Sequence, residues 1–210
     1  LSAGETLVFD GATGTYLQQH GLEPGGSPEL MNADEPEIVQ GMAKQYFDAG
    51  SDIVLTNTFG GNKFMLEKYG AGDRVFELNR LGAEHARAVA PSGKYVAGSI
   101  GPTGEFIQPL GTVTEDDLYD TFAEMAAAFE AGGADAVMIE TQLAIEEASI
   151  AVRAAKENTK LVVMSTMVFD KGPRGYFTMM GVTPEQAVQG LEQAGADVVG
   201  TNCGNGIERM

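Results

Sequence analysis

The sequence contains one cysteine, two histidines and no tryptophan, and it has few basic side chains. One cysteine cannot form an internal disulfide, which is typical of a reducing compartment, so we expect a cytoplasmic protein. The 13 lysines and arginines are outnumbered by 30 aspartates and glutamates, and the net charge is -17. Because no basic cluster interrupts this excess, nucleic acid and anionic membrane surfaces are not expected as partners.

Long hydrophobic runs are also lacking. No uninterrupted apolar stretch reaches the roughly 20 residues of a membrane-spanning helix, and the first residues do not resemble a signal peptide. The chain has 210 residues and is 43% hydrophobic. These values fit one domain with a full core, which we place at residues 1–210.

What the sequence does contain is an internal repeat, at residues 46–60, 128–142 and 190–204. Each copy has the end of a helix, a glycine suited to the left-handed conformation that stops a helix, an aspartate, and an apolar strand that ends in polar residues. The strands are apolar at consecutive positions, as expected for parallel strands covered on both faces. The helix-stopping glycines are Gly50, Gly133 and Gly195.

Three further strands are predicted at residues 6–10, 94–100 and 160–166, with helices between them. Six strands alternating with helices predict a largely parallel sheet with right-handed crossovers. The helices have recognisable start signals, which are Asp34 before Pro36, Thr114, and the capping box Thr183-Pro184-Glu185-Gln186.

Two architectures fit this order, a doubly wound open sheet and a barrel. An open sheet that binds nucleotides usually has a glycine-rich phosphate loop after its first strand, and neither GxGxxG nor GxxxxGK[ST] is present. Polar residues instead follow nearly every strand, which favours an α/β (βα)8 TIM-type barrel with its site at the carboxyl ends of the strands. Since a complete barrel takes about 250 residues, we expect its last two βα units to be missing from residues 1–210.

Asp10 and Glu140 are carboxylates at predicted strand ends. Asp10 precedes Gly11, where a ligand can approach the backbone closely, and its carboxylate either binds an ammonium group or caps the turn. Glu140 ends an apolar strand, so its charge must be paired or face the mouth of the sheet. The two could act as an acid/base pair, although recognition of an amino-acid ammonium group is the simpler role.

Cys203, the only thiol, ends the sixth predicted strand. A lone cysteine is most often a small buried apolar residue, but a thiol at a strand end could also be a nucleophile or a metal ligand. A nucleophile needs a nearby base, yet His20 lies in a long loop and His85 is expected on a solvated helix face. A zinc site needs further Cys or His ligands, so spacing alone leaves the role of the thiol open.

Five short motifs occur in one order along the chain: FDGATGT (9–15), TNTFG (56–60), SIGPTG (99–104), IET (139–141) and GTNCG (200–204). Together they resemble the homocysteine-binding domain shared by cobalamin-dependent methionine synthase and betaine-homocysteine methyltransferase. This resemblance implies a zinc-dependent methyl transfer to the thiol of homocysteine, which gives methionine. The sulfur of homocysteine would be the nucleophile, so no catalytic side chain is expected beyond the metal site.

The resemblance also implies site residues. In that family three cysteines bind zinc, one after strand six and an adjacent pair after strand eight. Cys203 matches the first, and the pair is expected outside these residues. Asp10 and Glu140 match acidic residues near the substrate amino group. Further candidates for substrate binding at the strand ends are Gly11, Asn57, Thr58, Gly101 and Asn202.

Several functions fit the sequence besides the main hypothesis. The methyl donor could be methylcobalamin on a corrinoid protein or domain, betaine or a sulfonium compound, and a related enzyme could act on another methylated substrate. A barrel aldolase or lyase would need a lysine at the carboxyl end of a strand, whereas Lys94 and Lys160 lie at amino ends. A non-catalytic amino-acid-binding subunit would bind its ligand without a metal. Residues 16–34 could act as a lid, and residues 169–181 could meet a methyl-donor module.

Overall fold

The computed structural model describes residues 4–204, which are built around one parallel sheet of five strands. Neighbouring strands in this sheet are neighbours in chain order, so the order never reverses as it does in a doubly wound sheet. The predicted parallel α/β sheet is confirmed, but the sheet does not close into a barrel within the described residues. Its strands are β1 (Ile53–Leu55), β2 (Tyr95–Ile100), β3 (Ala136–Gln142), β4 (Val162–Met167) and β7 (Val198–Thr201).

Helices connect the strands, as the repeat predicted. Gly50 and Gly195 adopt the left-handed conformation at helix ends, with φ of 112° and 104°. The capping box at Thr183 is present, and Thr114 caps its helix. The helices are α1 (Gly14–Gln19), α2 (Met31–Asp34), α3 (Pro36–Ala49), α4 (Lys63–Glu67), α5 (Val75–Val89), α6 (Glu115–Ala131), α7 (Ile145–Asn158) and α8 (Pro184–Ala194).

The two faces of the sheet are covered differently. The main core packs the helices against one face, and it includes the α6 side chains Phe122 and Phe129, which are fully buried. The other face carries a smaller cluster that comes only from the strands and the segment before β1, with Ala97 and Met164 among its buried members. Helices on one face are what successive right-handed crossovers in one direction produce.

The strand predicted at residues 6–10 is reduced to a single parallel bridge between Phe9 and Ile53. Backbone hydrogen bonds from Ile53 to Val8 (3.2 Å) and from Asp10 to Ile53 (3.1 Å) still align this segment with β1. Asp10 therefore lies beside the carboxyl end of β1, although the segment pairs too briefly to form a regular strand.

The insertion at residues 169–181 contains an antiparallel hairpin of β5 (Asp170–Gly172) and β6 (Gly175–Phe177). This hairpin was not predicted from the sequence. Its strands have three residues each, which is too short for a hydrophobic alternation to be recognisable.

Across residues 4–204, no helix combines the length and the apolar character that a bilayer crossing requires.

Helix α6 offers a direct test of the capping interactions. Thr114 Oγ1 accepts a hydrogen bond from the Asp117 backbone N–H at 3.1 Å, and Asp117 Oδ2 accepts one from the Thr114 N–H at 3.0 Å. Because Thr114→Ala leaves one of these N–H groups without its acceptor, we expect the free energy of unfolding to fall by about 1 kcal/mol in urea denaturation. The control Thr112→Ala, at an exposed position before the helix, should change it by less than about 0.5 kcal/mol. Equal losses in the two variants would contradict the role of the cap.

Candidate functional site

The carboxyl ends of the parallel strands surround a cleft of about 860 Å³. The cleft contains most of the site residues predicted from the sequence, and its lining within residues 4–204 includes three carboxylates but no lysine, arginine or histidine. The cleft therefore favours a cationic group, and it offers no lysine for a Schiff base. The predicted residues that line it are Asp10, Gly11, Asn57, Thr58, Glu140, Asn202 and Cys203.

Asp10 is a largely buried carboxylate on the wall of this cleft. Its Oδ2 accepts a hydrogen bond from the Leu55 backbone N–H at 2.8 Å, whereas its Oδ1 is buried without a partner among the described residues. Burial raises the pKa of Asp10 to about 7, the bond from Leu55 opposes this rise, and the negative charge of Glu140 adds to it. An unpartnered carboxylate oxygen can accept a hydrogen bond from a cationic donor, and such a donor would favour the ionised form against the effect of burial.

Glu140 is held by donors from two other strand ends. Its Oε1 accepts from Ser99 Oγ at 2.7 Å, and its Oε2 accepts from Asn202 Nδ2 at 3.0 Å. Burial raises the pKa of the Glu140 carboxyl, and the bonds from Ser99 and Asn202 partly oppose that rise. These bonds allow a carboxylate to remain at the end of an otherwise apolar strand.

Asn202 joins the ends of three strands. Its Oδ1 accepts from the Thr141 N–H at 2.8 Å and from Thr166 Oγ1 at 2.7 Å, while its Nδ2 donates to Glu140 and to Thr141 Oγ1. The amide oxygen accepts two hydrogen bonds and the amide nitrogen donates two, all within the protein. Asn202 therefore fixes Glu140 and the start of the loop that carries Cys203.

Two residues at this edge have a left-handed backbone that side chains other than glycine rarely adopt. Thr141 has φ of 60° and Cys203 has φ of 62°. Such conformations cost about 1–3 kcal/mol and persist where surrounding contacts impose them. The Thr141 N–H donates to Asn202, and this contact holds the backbone of Thr141 in the left-handed conformation. At Cys203 the thiol is exposed at the cleft.

Asn57 and Thr58 line the cleft, but their polar groups bond within the protein. Asn57 Nδ2 donates to the Pro28 carbonyl at 2.7 Å, and Thr58 Oγ1 donates to the Ser99 carbonyl at 2.8 Å. Both residues are buried, with exposed fractions of 4% and 1%. Their geometry therefore suits a part in shaping the cleft, and direct contact with a substrate stays a prediction.

The two predicted glycines differ in position. Gly11 lines the cleft, and a Cβ at this position would lie 3.2 Å from the Tyr46 hydroxyl oxygen, so a larger residue would crowd that ring. Gly101 lies outside the residues that line the cleft, and its N–H donates to the Phe59 carbonyl at 2.8 Å. The Gly101 N–H is thus already bonded within the protein, and its contact with a substrate stays a prediction.

Comparison with known proteins identifies the family of this chain. A sequence profile of the homocysteine S-methyltransferase family matches residues 7–210. The chain belongs to this family.

Similar proteins include two named enzymes and one solved structure. Methionine synthase of Mycobacterium leprae is 33% identical over 99% of this chain and 18% of its own length. Betaine–homocysteine S-methyltransferase 1 of Danio rerio is 31% identical over 97% of this chain and 50% of its own length. The chain thus spans half or less of these relatives. The crystal structure of the apo form of homocysteine methyltransferase MmuM from Escherichia coli shares the fold, with a TM-score of 0.76 at 18% identity over 99% of this chain and 75% of that one.

In this member of the homocysteine S-methyltransferase family, Cys203 is the only thiol among the residues that line the cleft, and thiolate sulfur is a common zinc ligand. Its thiol is exposed there, but a zinc site takes at least three protein ligands. Among residues 4–204, no group of three or more His, Cys, Asp or Glu side chains is placed to hold a metal ion. The described residues therefore do not form a zinc site by themselves.

Sequence reasoning missed a buried polar cluster beside the cleft. Glu29 lines the cleft with 5% of its surface exposed, and Asn32 is 1% exposed behind it. His85 was expected on a solvated face, but it is buried and its Nε2 lies 2.7 Å from the Asn32 carbonyl oxygen. The only signal available was the acidic and amide residues in "SPELMN" (27–32), which look like ordinary loop residues.

The raised pKa of Asp10 predicts how stability depends on pH. The unfolded chain loses the Asp10 proton near pH 4, while the folded protein keeps it until about pH 7. This group therefore lowers stability as the pH rises between these values, and the full penalty is present above pH 7. Asp10→Asn removes the penalty, so we expect the variant to be more stable than the wild type at pH 8, by at most about 4 kcal/mol for a shift of about three pKa units.

The measurement is urea denaturation of both proteins between pH 3.5 and pH 8. The advantage of Asp10→Asn should shrink toward zero near pH 4. Asp52→Asn serves as a control of opposite sign, because the bond from Lys94 lowers the pKa of Asp52, so this variant should lose stability at pH 8. A constant difference between Asp10→Asn and the wild type at every pH would show that Asp10 titrates normally.

Proposed function

We propose that this chain is the homocysteine-binding region of a methyltransferase that transfers a methyl group to the sulfur of homocysteine and produces methionine. The observation that carries the proposal is the meeting of two partly buried carboxylates, Asp10 and Glu140, and one exposed thiol, Cys203, in a single cleft at the strand ends. Family membership supports this reaction.

The proposal extends to the architecture and the compartment. The unreversed strand order and the placement of the helices on one face support a (βα)8 barrel in the intact protein. The lone thiol supports a reducing cytoplasm.

In the proposed mechanism, the carboxylates bind the ammonium group of homocysteine. Asp10 Oδ1 has no hydrogen-bond partner among residues 4–204, so a donor from the ligand would satisfy it, while Ser99 and Asn202 hold Glu140 in a fixed orientation. A bound ammonium group favours the ionised form of Asp10, so binding at neutral pH is coupled to release of its proton. The amino acid would then be anchored at one end of the cleft, with its thiol free to reach the rim where Cys203 lies.

The thiol of homocysteine needs activation, because a thiol with an ordinary pKa of about 8.5 is mostly protonated near neutral pH. A zinc ion, when bound, favours the thiolate form of a coordinated sulfur. We propose Cys203 as one of its ligands in the intact protein, where two further thiolates outside residues 1–210 would have to complete the site.

The methyl donor in this proposal is a methylcorrinoid carried on another protein or domain. The support is the similarity to methionine synthase, which exceeds that to the betaine enzyme by a small margin. Betaine and a methylsulfonium compound are the alternative donors, and the assay below distinguishes the three.

The test of the proposal is methionine formation by the intact protein from homocysteine with each of the three donors in turn. We expect one donor to support turnover, and we expect Cys203→Ser to lose zinc content and at least about 100-fold in rate, since a ligand should matter no less than its supporting residues. Ser149→Ala, on α7 away from the cleft, should keep both. No methionine from any donor, or full zinc and full rate in Cys203→Ser, would overturn the proposal.

The role of Glu140 has its own test. Glu140→Gln removes the negative charge while keeping the shape of the side chain, so a bond to a charged group worth about 1.5–3 kcal/mol is lost. We expect the KM for homocysteine to rise about 10-fold to 100-fold. Glu146→Gln, at an exposed position on α7, should leave the KM unchanged. An unchanged KM in Glu140→Gln would mean that the ammonium group binds elsewhere.

A further inference from the structure

We propose that Glu29 is a positioning residue, a buried carboxylate that fastens the loop after residues 6–10 to the TNTFG loop and so holds the polar wall of the cleft in its binding geometry. TNTFG loop here means residues 56–60. This inference rests on the proposed function for its effect on homocysteine, but the contacts that carry it are independent of that function.

Glu29 bonds to both loops at once. Its Oε1 accepts a hydrogen bond from the Gly60 backbone N–H at 2.7 Å, and its Oε2 accepts one from Ser27 Oγ at 2.7 Å. Glu29 is buried, with an exposed fraction of 5%. A buried carboxylate that accepts short bonds from a backbone N–H and a hydroxyl is a strong local constraint, because displacing the loop would leave the oxygen without its donor.

The approach of the two loops depends on a glycine. A Cβ at Gly60 would lie 3.0 Å from Glu29 Oε1 and 3.4 Å from its carboxyl carbon. The absence of a side chain at Gly60 therefore lets the carboxylate sit directly against the backbone of the TNTFG loop.

A pair of amides makes a second attachment between the same segments. Asn57 Nδ2 donates to Asn32 Oδ1 at 3.0 Å, and Asn32 Nδ2 donates to the Asn57 carbonyl at 2.8 Å. Asn57 Nδ2 also donates to the Pro28 carbonyl. Residues 27–32 are thus bound to the TNTFG loop at several points, so this part of residues 16–34 forms a wall of the cleft; the role of the segment as a lid stays a prediction.

The TNTFG loop passes this constraint to the carboxylates of the cleft. Thr58 Oγ1 donates to the Ser99 carbonyl at 2.8 Å, and the Ser99 N–H donates to Thr56 Oγ1 at 3.0 Å. Ser99 Oγ in turn donates to Glu140. Hydrogen bonds, together with the backbone of the TNTFG loop between Gly60 and Thr58, therefore connect Glu29 through Ser99 to the carboxylate proposed to bind the substrate.

Glu147 provides a matched control. It is also buried, with 7% of its surface exposed, and its Oε1 accepts from the Thr103 N–H and Oγ1, both at 2.7 Å. It fastens the loop after β2 in the same way that Glu29 fastens the TNTFG loop, but it does not line the cleft. Loss of either carboxylate should destabilise the protein, and only loss of Glu29 should alter the cleft.

The experiment compares Glu29→Ala, Glu29→Gln and Glu147→Ala in the intact protein. We expect Glu29→Ala to raise the KM for homocysteine and the Kd for the thiol-free product methionine at least about 10-fold, with kcat changed less than about 3-fold. Glu29→Gln should restore both constants to near wild type, because its Oε1 still accepts from Gly60 and its amide still reaches Ser27. Glu147→Ala should lower the melting temperature without changing either constant.

Equal changes of KM and Kd in Glu29→Ala and Glu147→Ala would overturn the inference. They would show that Glu29 stabilises the protein as a whole and does not position the cleft. If Glu29→Ala does not fold, Glu29→Asp replaces it: the charge stays, but the shorter side chain cannot reach both donors, so the same rise in KM is expected. Wild-type constants in Glu29→Asp would also overturn the inference.

A readout without substrate separates this inference from the proposed function. Hydrogen exchange of the amides in residues 95–101 should accelerate in Glu29→Ala by more than its loss of global stability explains, whereas any acceleration in Glu147→Ala should match its loss of global stability. If the wild type binds neither homocysteine nor methionine, the proposed function fails, yet faster exchange in this segment still supports the positioning role. Unchanged exchange in Glu29→Ala would contradict it whatever the ligand.

Discussion

The pairing of Glu140 with Asn202 and Ser99 is the interaction on which this site depends. A carboxylate at the end of an apolar strand is unfavourable unless donors are supplied from neighbouring segments. Parallel strands supply them here, because β2, β3 and β7 all end at the same edge of the sheet. The same bonds that satisfy Glu140 fix the geometry of the cleft and the position of the chain that leads to Cys203.

The layered packing explains how the fold supplies that edge. Helices fill one face of the sheet with a large apolar core, so the strands are held rigidly from that side. The other face is covered by side chains of the strands and of the segment before β1. The carboxyl ends of the strands on this face are therefore free to carry polar groups. Hydrophobic burial therefore secures the scaffold, and a small number of hydrogen bonds at the strand ends determines the chemistry.

The strand ends were predictable because their pattern is local. A glycine, an aspartate and an apolar run are read directly from the repeat, so the positions of Glu140, Asn202 and Cys203 followed from the requirement that parallel strands share an edge. The reduced pairing of residues 6–10 was not predictable, since it depends on how far that segment follows β1. Glu29 and His85 were missed for a related reason: their burial comes from tertiary contacts between loops and helices far apart in sequence.

With its pKa raised to about 7, Asp10 is partly protonated near neutral pH. If a cation binds beside it, release of that proton would offset part of the added positive charge, so the charge of the occupied site would change less than the charge of the cation alone. Such an exchange would make the heat of ligand binding depend on the buffer that takes up the proton, and it would let the cleft accept a charged guest without a large change in the field felt at the thiol.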